Sequence, residues 1–181
     1  MLDFLHAAVK CRLNVIISGG TGAGKTTMLN VLSGFIGGEE RVVTIEDAAE
    51  LRLQQPHWLP LETRPPNLEG DGAITIGDLV KNALRMRPDR LVVGEVRGAE
   101  VVDLLGALNT GHDGGCGTLH ANSAADVPAR LEALGVAAGL GRDAVHAQAA
   151  AALDIVVHLA KDGSGRRRVD ELDLLSCTPT G

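Results

Sequence analysis

Apolar residues along the chain recur with two different spacings. Some segments show the three-to-four-residue spacing of an amphipathic helix, and shorter segments rich in Val, Ile and Leu are typical of buried strands. The predicted helices are residues 2–10, 25–35, 76–86, 99–109, 124–134 and 142–152. The predicted strands are residues 13–18, 41–45, 90–94, 117–119, 154–160 and 168–175. Because helices and strands alternate, we predict an α/β fold with a mostly parallel sheet flanked by helices.

Two segments interrupt this alternation. Residues 161–165, Lys-Asp-Gly-Ser-Gly, separate the last two strands and predict a C-terminal β-hairpin. Residues 48–73 contain Pro56, Pro60, Pro65 and Pro66 and have no helical spacing, so they form either a small meander or an excursion toward an active site. A chain of 181 residues can bury a full core but is short for two domains, so we expect residues 1–181 to form a single domain.

Composition narrows the class of protein. Aromatic residues make up only 2% of the chain, so the core must consist of Val, Ile, Leu and Ala. No run approaches the ~18 apolar residues of a membrane span and the N-terminus has no basic signal-peptide region, which predicts a cytoplasmic protein. Cys11, Cys116 and Cys177 lack Cys-x-x-Cys spacing, which favours free thiols over a zinc site. A net charge of −6 argues against general nucleic-acid binding.

The strongest chemical motif follows the first predicted strand. Residues 19–26, Gly-Gly-Thr-Gly-Ala-Gly-Lys-Thr, match the Walker A pattern Gly-x-x-x-x-Gly-Lys-Thr, and a helix is predicted directly after them. Glycines allow successive backbone N–H groups to surround phosphates, and the helix N-terminus adds partial positive charge. The motif predicts binding of ATP and Mg²⁺, with Lys25 on the β- and γ-phosphates and Thr26 on the metal. The nucleotide-binding residues are predicted to be Gly20, Thr21, Gly22, Ala23, Gly24, Lys25, Thr26 and Thr27.

Two further predicted strands end in carboxylates. Residues 91–94 are followed by Glu95, which could polarise the water that attacks a γ-phosphate. The alternative is that Glu95 only pairs with Arg97 or Lys25. Glu46 and Asp47 end the strand at residues 41–45, so Glu46 could face the same water or metal as Glu95. A structural role at the strand end is the alternative for both of these acids.

Two histidines flank a glycine-rich turn and a short strand. His112 and His120 lie within residues 110–123, and either could reach a γ-phosphate. The alternative for each is a purely structural hydrogen bond. Taken alone, the residues leave this choice open.

The order of these motifs resembles the ATPase superfamily of type II and type IV secretion, type IV pili and archaella. The segments GGTGAGKTT, TIEDAAEL, LETRPPN, NALRMRPDRLVVGEVRG and TGHDGGCGTLHANS carry the resemblance, which covers about residues 4–175. Within the superfamily, the sequence is most similar to the CpaF-type ATPase that assembles tight-adherence (Flp) pili. The resemblance implies a RecA-like domain with Walker A, Asp-box, atypical Walker B and His-box motifs.

The same resemblance implies residue roles. Glu95 is the expected catalytic glutamate, Glu46 the Asp-box acid, and His112 and His120 the His-box residues. Arg64 is the first candidate for an arginine finger that acts on a neighbouring subunit, and Arg85 is the second. Surface ion pairs with Glu62 or Asp89 are the alternatives for these arginines, and Arg97 is expected to be an internal sensor or strut.

The resemblance also implies a place in a larger machine. The N-terminal domain of the family is missing from residues 1–181, so we expect a C-terminal ATPase domain that forms a hexamer in its full-length form. Cytoplasmic location, peripheral association with the inner membrane through pilus or secretion platform proteins, and no specific nucleic-acid partner are expected. The expected function is ATP hydrolysis that powers pilus assembly or protein secretion. A small P-loop kinase, or a nucleotide-gated assembly module with negligible turnover alone, remains an alternative.

Overall fold

A sheet of seven strands organises the chain, in the order β3-β2-β4-β5-β1-β6-β7. The structure is a computed structural model that describes residues 1–175. All strand pairs are parallel except β6 with β7, which are antiparallel. The strands are β1 Val15–Gly19, β2 Val42–Glu46, β3 Trp58–Glu62, β4 Arg90–Val96, β5 Cys116–Leu119, β6 Ile155–Lys161 and β7 Arg167–Leu174. The predicted mostly parallel α/β fold with a C-terminal hairpin is confirmed.

Six helices cover the two faces of this sheet within residues 1–175. They are α1 Leu2–Lys10, α2 Lys25–Ser33, α3 Ile76–Arg85, α4 Glu100–Leu108, α5 Val127–Ala137 and α6 Arg142–Ala152. Apolar residues of α1 and α2 pack on one face, and those of α3 to α6 pack on the other. Strands β1 and β2 are buried along their whole length, which explains why they appear in the sequence as continuous apolar runs.

The proline-rich segment contains a strand that sequence patterns did not predict. Strand β3 pairs in parallel with β2 at the outer edge of the sheet, so of the two predicted possibilities the meander is wrong. The start of the segment, at Ala48 and Glu50, lines the cleft described below. Pro60 lies inside β3 and is tolerated because an edge strand has one side without a hydrogen-bonding neighbour. Beyond β3, Arg64 and Ile74 form an isolated antiparallel bridge that closes the loop.

Polar side chains tie the elements together at the edge where the parallel strands begin. Arg90 at the start of β4 is 2% exposed, and its guanidinium donates to both carboxylate oxygens of Glu40, at 2.7 and 3.1 Å. It also donates to the carbonyl oxygens of Val9 and Gly114, at 3.0 and 3.3 Å. Because these partners belong to separate segments, Arg90 fixes α1 and two loops to the sheet.

Asn14, directly before β1, plays a similar part. Its side-chain oxygen accepts hydrogen bonds from the amides of Gly114 and Gly115, and its side-chain nitrogen donates to the carbonyl of Ala152. Its own amide donates to Asp154. The polar side chains of Asn14 and Arg90 are therefore paired within the protein. Separately, no helix among residues 1–175 has the length and apolar character needed to cross a membrane.

Candidate active site

The loop between β1 and α2 is shaped to receive an anion. A Cβ on Gly19 would lie 2.5 Å from the carbonyl oxygen of Leu159, so only glycine fits between β1 and β6. Helix α2 begins at Lys25 with no side-chain cap on its first turn. The first amides of a helix have no partner inside the helix, and an uncapped N-terminus offers them to a phosphate. The Walker A segment thus has the strand, loop and helix that the sequence predicted.

A cleft of about 560 Å³ opens above this loop, at the edge where the parallel strands end. Open α/β sheets bind ligands at this edge. Most of its lining residues come from the Walker A loop, the strand-end acids and the predicted histidine motif. Residues that line it include Thr21, Gly22, Gly24, Lys25, Thr26, Thr27, Glu46, Asp47, Glu95 and His120.

Lys25 places its ammonium group among several acceptors. Its Nζ donates to the carbonyl oxygens of Gly19 and Gly20 at 3.1 and 3.3 Å, and it lies 3.3 Å from His120 Nε2. Burial lowers the pKa of Lys25, the charge of Glu95 opposes that effect, and Arg97 adds to it. A partly buried ammonium group is therefore held in the loop by neutral carbonyl oxygens, which anionic phosphate oxygens can outcompete.

Glu95 reaches the cleft through an irregularity in β4. Val93 pairs with Gly117 and Val96 with Leu119, so Gly94 and Glu95 together lie opposite the single residue Thr118. This arrangement is a β-bulge, which changes the direction of the side chains that follow. The Thr118 hydroxyl donates to the carbonyl oxygen of Gly94 at 2.6 Å and holds the bulge in place.

A close contact with Glu46 explains why the residue before Glu95 is a glycine. A Cβ at position 94 would lie 2.9 Å from Cγ of Glu46, which extends across the backbone of β4. Glu46 is 5% exposed, and its Oε1 accepts from the amides of Glu50 and Leu51, both at 3.1 Å. One oxygen of Glu46 thus orders the loop after β2, while its side chain lines the cleft.

Glu95 lies between two cationic or polarisable partners. His120 Nε2 is 2.6 Å from Glu95 Oε1, although the ring is not aligned for a hydrogen bond with this buried oxygen. Arg97 donates to Glu95 Oε2 and lies 3.9 Å from a carboxylate oxygen of Asp47. The ion pair between Glu95 and Arg97 was the alternative interpretation of Glu95, and the structure contains it within the cleft. Arg97 thus lies between two acids but is exposed, and its expected role as an internal sensor or strut stays a prediction.

The structure separates the other predicted site residues from this cleft. His112 precedes β5 and His120 follows it, so the two histidines lie at opposite ends of this strand. Arg64 is exposed and donates to the carbonyl oxygen of Gly72 at 2.9 and 2.7 Å, and Arg85 is exposed at the end of α3. Within residues 1–175, neither arginine forms the ion pair that was its alternative.

Sequence patterns missed several contributors to the cleft, among them Thr118 and Arg167. Thr118 was read only as part of a short strand, and Arg167 only as part of a predicted hairpin. Arg167 lines the cleft from the first position of β7. Alternation along the hairpin places Arg167 on the same face as the apolar residue Val169, and this signal could have identified it.

The donor set fits Mg²⁺ only together with phosphate oxygens. Within residues 1–175 there is no group of three or more His, Cys, Asp or Glu side chains that could hold a metal. Thr26 supplies a hydroxyl group beside the uncapped helix end, while Glu46 and Glu95 lie in the same cleft. Cys116 does not contribute, because burial raises the pKa of its thiol to about 12 and keeps it neutral.

Comparison with known proteins places this geometry in a family. Residues 1–174 match the family described as "Type II/IV secretion system protein". The chain belongs to this family. It is 57% identical over 167 residues to a Mycobacterium tuberculosis (strain H37Rv) protein named for conjugal transfer. The aligned residues make up 92% of this chain and 47% of that protein.

Solved structures agree with this family assignment. The VirB11 ATPase from the Brucella suis type IV secretion system, in complex with sulphate, superposes with a TM-score of 0.86 at 30% identity, over 96% of this chain and 53% of VirB11. The pilus retraction motor PilT with bound ADP gives a TM-score of 0.73 at 27% identity, over 98% of this chain and 51% of PilT. The chain therefore spans about half the length of these relatives and has the fold of their ATPase domains.

Proposed function

We propose that this chain is a single ATPase domain that binds ATP with Mg²⁺ and hydrolyses it to ADP and phosphate. The observation that carries the proposal is the bulge at Gly94 and Glu95, which brings a carboxylate into the same cleft as Lys25. A P-loop alone accounts for nucleotide binding, whereas hydrolysis also requires a group that orients or deprotonates water. Glu95 is that group in this proposal.

The surrounding side chains have proposed roles in binding the phosphates, holding the metal and accepting a proton. Lys25 and the first amides of α2 bind the β- and γ-phosphates, and Thr26 holds Mg²⁺, which neutralises phosphate charge when it is bound. Glu95 accepts a proton from the attacking water. Glu46, 5% exposed and in contact across Gly94, positions the loop that closes the same side of the cleft. His120, between Lys25 and Glu95, can report whether a γ-phosphate is present.

Glu95→Gln tests this proposal because it preserves shape and hydrogen bonding but removes the proton acceptor. We expect ATP affinity to remain within a few-fold of wild type, while phosphate release falls by about 10²–10⁴. Glu62→Gln is the matched control, since Glu62 also ends a strand beside Glu46 but does not line the cleft. Binding and phosphate release should be measured on the same preparations.

Each alternative function predicts a different result in these assays. A nucleotide-gated module would bind ATP in the wild type and release negligible phosphate even under assembling conditions. A kinase would release phosphate only slowly and would transfer it to an added acceptor. Unchanged turnover in Glu95→Gln, or equal loss of binding and turnover, would contradict the catalytic assignment.

We further propose that the domain works in a hexameric motor of a pilus or secretion system. The family membership supports this assignment, and resemblance of the sequence motifs to CpaF-type ATPases supports a role in tight-adherence pili. Arg64 and Arg85 lie away from the cleft of their own chain, which suits a role on a neighbouring subunit. Platform proteins of the inner membrane are the proposed partners, the proposed location is the cytoplasmic face, and no specific nucleic acid is involved. His112 stays a proposed His-box residue without a contact to this chain's own cleft.

A further inference from the structure

A basic side chain on the C-terminal hairpin reaches the same loop as Lys25 from the other side of β1. We propose that Arg167 binds the α-phosphate of the nucleotide. This inference rests on the proposed function, because it assumes that a nucleoside phosphate occupies the cleft. It adds a binding residue outside the Walker A, Asp-box, Walker B and His-box motifs.

The side chain of Arg167 lies against the phosphate-binding loop. Its Nε donates to the carbonyl oxygen of Gly22 at 3.1 Å, and its Cδ is 3.1 Å from the position of a Cβ built on Gly24. Across the part of the chain that the structure describes, Arg167 forms no ion pair, and its terminal nitrogens make no hydrogen bond. The guanidinium group of Arg167 is thus held by one hydrogen bond from Nε, and its terminal nitrogens can donate to a ligand in the cleft.

Its two arginine neighbours are arranged differently. Arg168 donates from two nitrogens to Asp170 at 2.9 and 2.7 Å, so its charge is paired on the hairpin itself. Arg166 precedes β7 and does not line the cleft. Because side chains alternate along a strand, Arg167 shares a face with Val169, which packs against the apolar cluster of α1 and α2. Of three consecutive arginines, Arg167 is the one that faces the cleft.

The hairpin holds this arginine in a defined place. Asp162 Oδ1 accepts hydrogen bonds from the amides of Ser164 and Arg166, both at 2.9 Å, and from the Ser164 hydroxyl at 2.6 Å. The amide of Asp162 in turn donates to the carbonyl oxygen of Arg166. A turn with these bonds pre-orders the residue that follows, which lowers the entropic cost of binding an anion.

The sheet order indicates which phosphate Arg167 meets. Strands β2 and β4, which carry Glu46 and Glu95, lie on one side of β1, and β6 and β7 lie on the other. If the γ-phosphate reacts beside Glu95, the phosphate chain crosses the loop and its other end lies toward β7. A guanidinium there forms charge-assisted hydrogen bonds with the α-phosphate, which every nucleoside diphosphate or triphosphate carries.

Two substitutions separate a phosphate contact from a structural one. Arg167→Lys and Arg167→Gln each keep an N–H donor for the carbonyl oxygen of Gly22, but only lysine keeps the charge. We expect Arg167→Gln to weaken ADP and ATP binding by about 10- to 100-fold, and Arg167→Lys to stay within a few-fold of wild type. GDP and ADP should lose affinity by the same factor, because a phosphate contact is independent of the base.

Arg166→Gln is the matched control, since it removes the same charge from the adjacent residue outside the cleft. It should leave nucleotide affinity unchanged, and all variants should have the melting temperature of wild type without nucleotide. Equal affinity in Arg167→Gln and wild type, equal loss in the lysine and glutamine variants, or loss for adenine nucleotides alone would each overturn the proposal. Failure of the wild-type chain to bind any nucleotide would instead reject the proposed function.

Discussion

The two edges of the parallel sheet both concentrate charged side chains, but they use them differently. Where the strands begin, Arg90 is buried and each of its donor groups has an acceptor in another segment of the chain. Where the strands end, Lys25 is held by neutral carbonyl oxygens, and Glu95 Oε1 is buried without a hydrogen bond. The Arg90 side chain is fully paired within the protein, whereas the groups around Lys25 and Glu95 have donors and acceptors left for a ligand.

Whether a charged group has all its hydrogen-bond partners distinguishes a structural role from a functional one better than its burial does. Arg90 and Glu46 are both buried, at 2% and 5% exposure, yet only Glu46 lines the cleft. Buried polar groups are normally paired because an unpaired one costs about 1–3 kcal/mol. The paired Arg90 carries no such cost, whereas the unpaired Glu95 Oε1 in the cleft does.

The largest effect on the ATPase rate should come from an arginine that a neighbouring subunit contributes to the cleft. If Arg64 or Arg85 acts on a neighbouring subunit, the isolated chain lacks a charge worth about 10³–10⁵ in rate. We predict low specific activity that rises with protein concentration. A mixture of Lys25→Ala chains, which keep their arginines, and Arg64→Ala chains, which keep their phosphate site, should recover activity that neither shows alone.

The same mixture can reject the shared-site model. Mixing Lys25→Ala with Arg85→Ala chains tests the second candidate under identical conditions. Activity that is independent of concentration, together with no recovery in either mixture, would show that each chain contains a complete active site. The two exposed arginines would then have no catalytic part.

Where the strands begin, we predict that a substitution of Arg90 affects stability. Arg90→Met removes a buried cation, leaves two carbonyl oxygens without this donor, and leaves Glu40 with only Arg12 and the amide of Gly37. We expect the free energy of unfolding to fall by about 3–5 kcal/mol. Urea titration followed by circular dichroism measures this change, and Arg166→Met, an exposed arginine in the hairpin turn, should change it by less than about 0.5 kcal/mol. Similar values for the two variants would contradict the comparison.

Sequence patterns predicted the local parts of this picture and missed the parts that depend on pairing between distant segments. The Walker A loop and the two strand-end acids follow from short runs of residues, so they were predictable. The bulge was not, because it exists only where β4 meets Thr118 of β5. Gly94 inside an apolar strand was its one local signal.

Other differences have equally specific causes. Strand β3 was missed because Pro60 argues against a central strand, and only the sheet order shows that β3 is at the edge. His112 and His120 are close in sequence, yet the strand between them moves them apart. Arg167 was missed because alternation along the hairpin indicates only its face, whereas its contact with Gly22 depends on how the hairpin packs against the loop.

A smaller effect should appear when pH is lowered. Burial would raise the pKa of Glu40, but hydrogen bonding and charge from Arg90, the amide of Gly37 and the charge of Arg12 outweigh it, and the pKa lies below the ordinary 4.5. A carboxylate with a lowered pKa in the folded state stabilises the protein above pH 4.5, and this contribution is lost as pH falls through the folded-state value.

We therefore predict a pH-dependent cost for Glu40→Gln. At pH 7 it should lower the free energy of unfolding by about 1–3 kcal/mol, and this difference from wild type should shrink as the pH falls below 4.5. Glu39→Gln, at the exposed neighbouring position, is the control and should show no such pattern. A difference that stays constant from pH 7 to pH 3 would mean that Glu40 contributes by packing alone.

The most direct test measures the melting temperature of wild type and Lys25→Met with and without MgATP. Burial lowers the pKa of Lys25, so at neutral pH its charged form is less favourable in the folded than in the unfolded chain. Its removal should therefore not destabilise the fold, and the variant without nucleotide should stay within about 1 kcal/mol of wild type. ATP at 100 times its Kd adds about 2.7 kcal/mol, or roughly 5–10 °C for a chain of this size, to wild type alone. An equal shift in both proteins, or a variant that melts early without nucleotide as Arg90→Met should, would contradict the account.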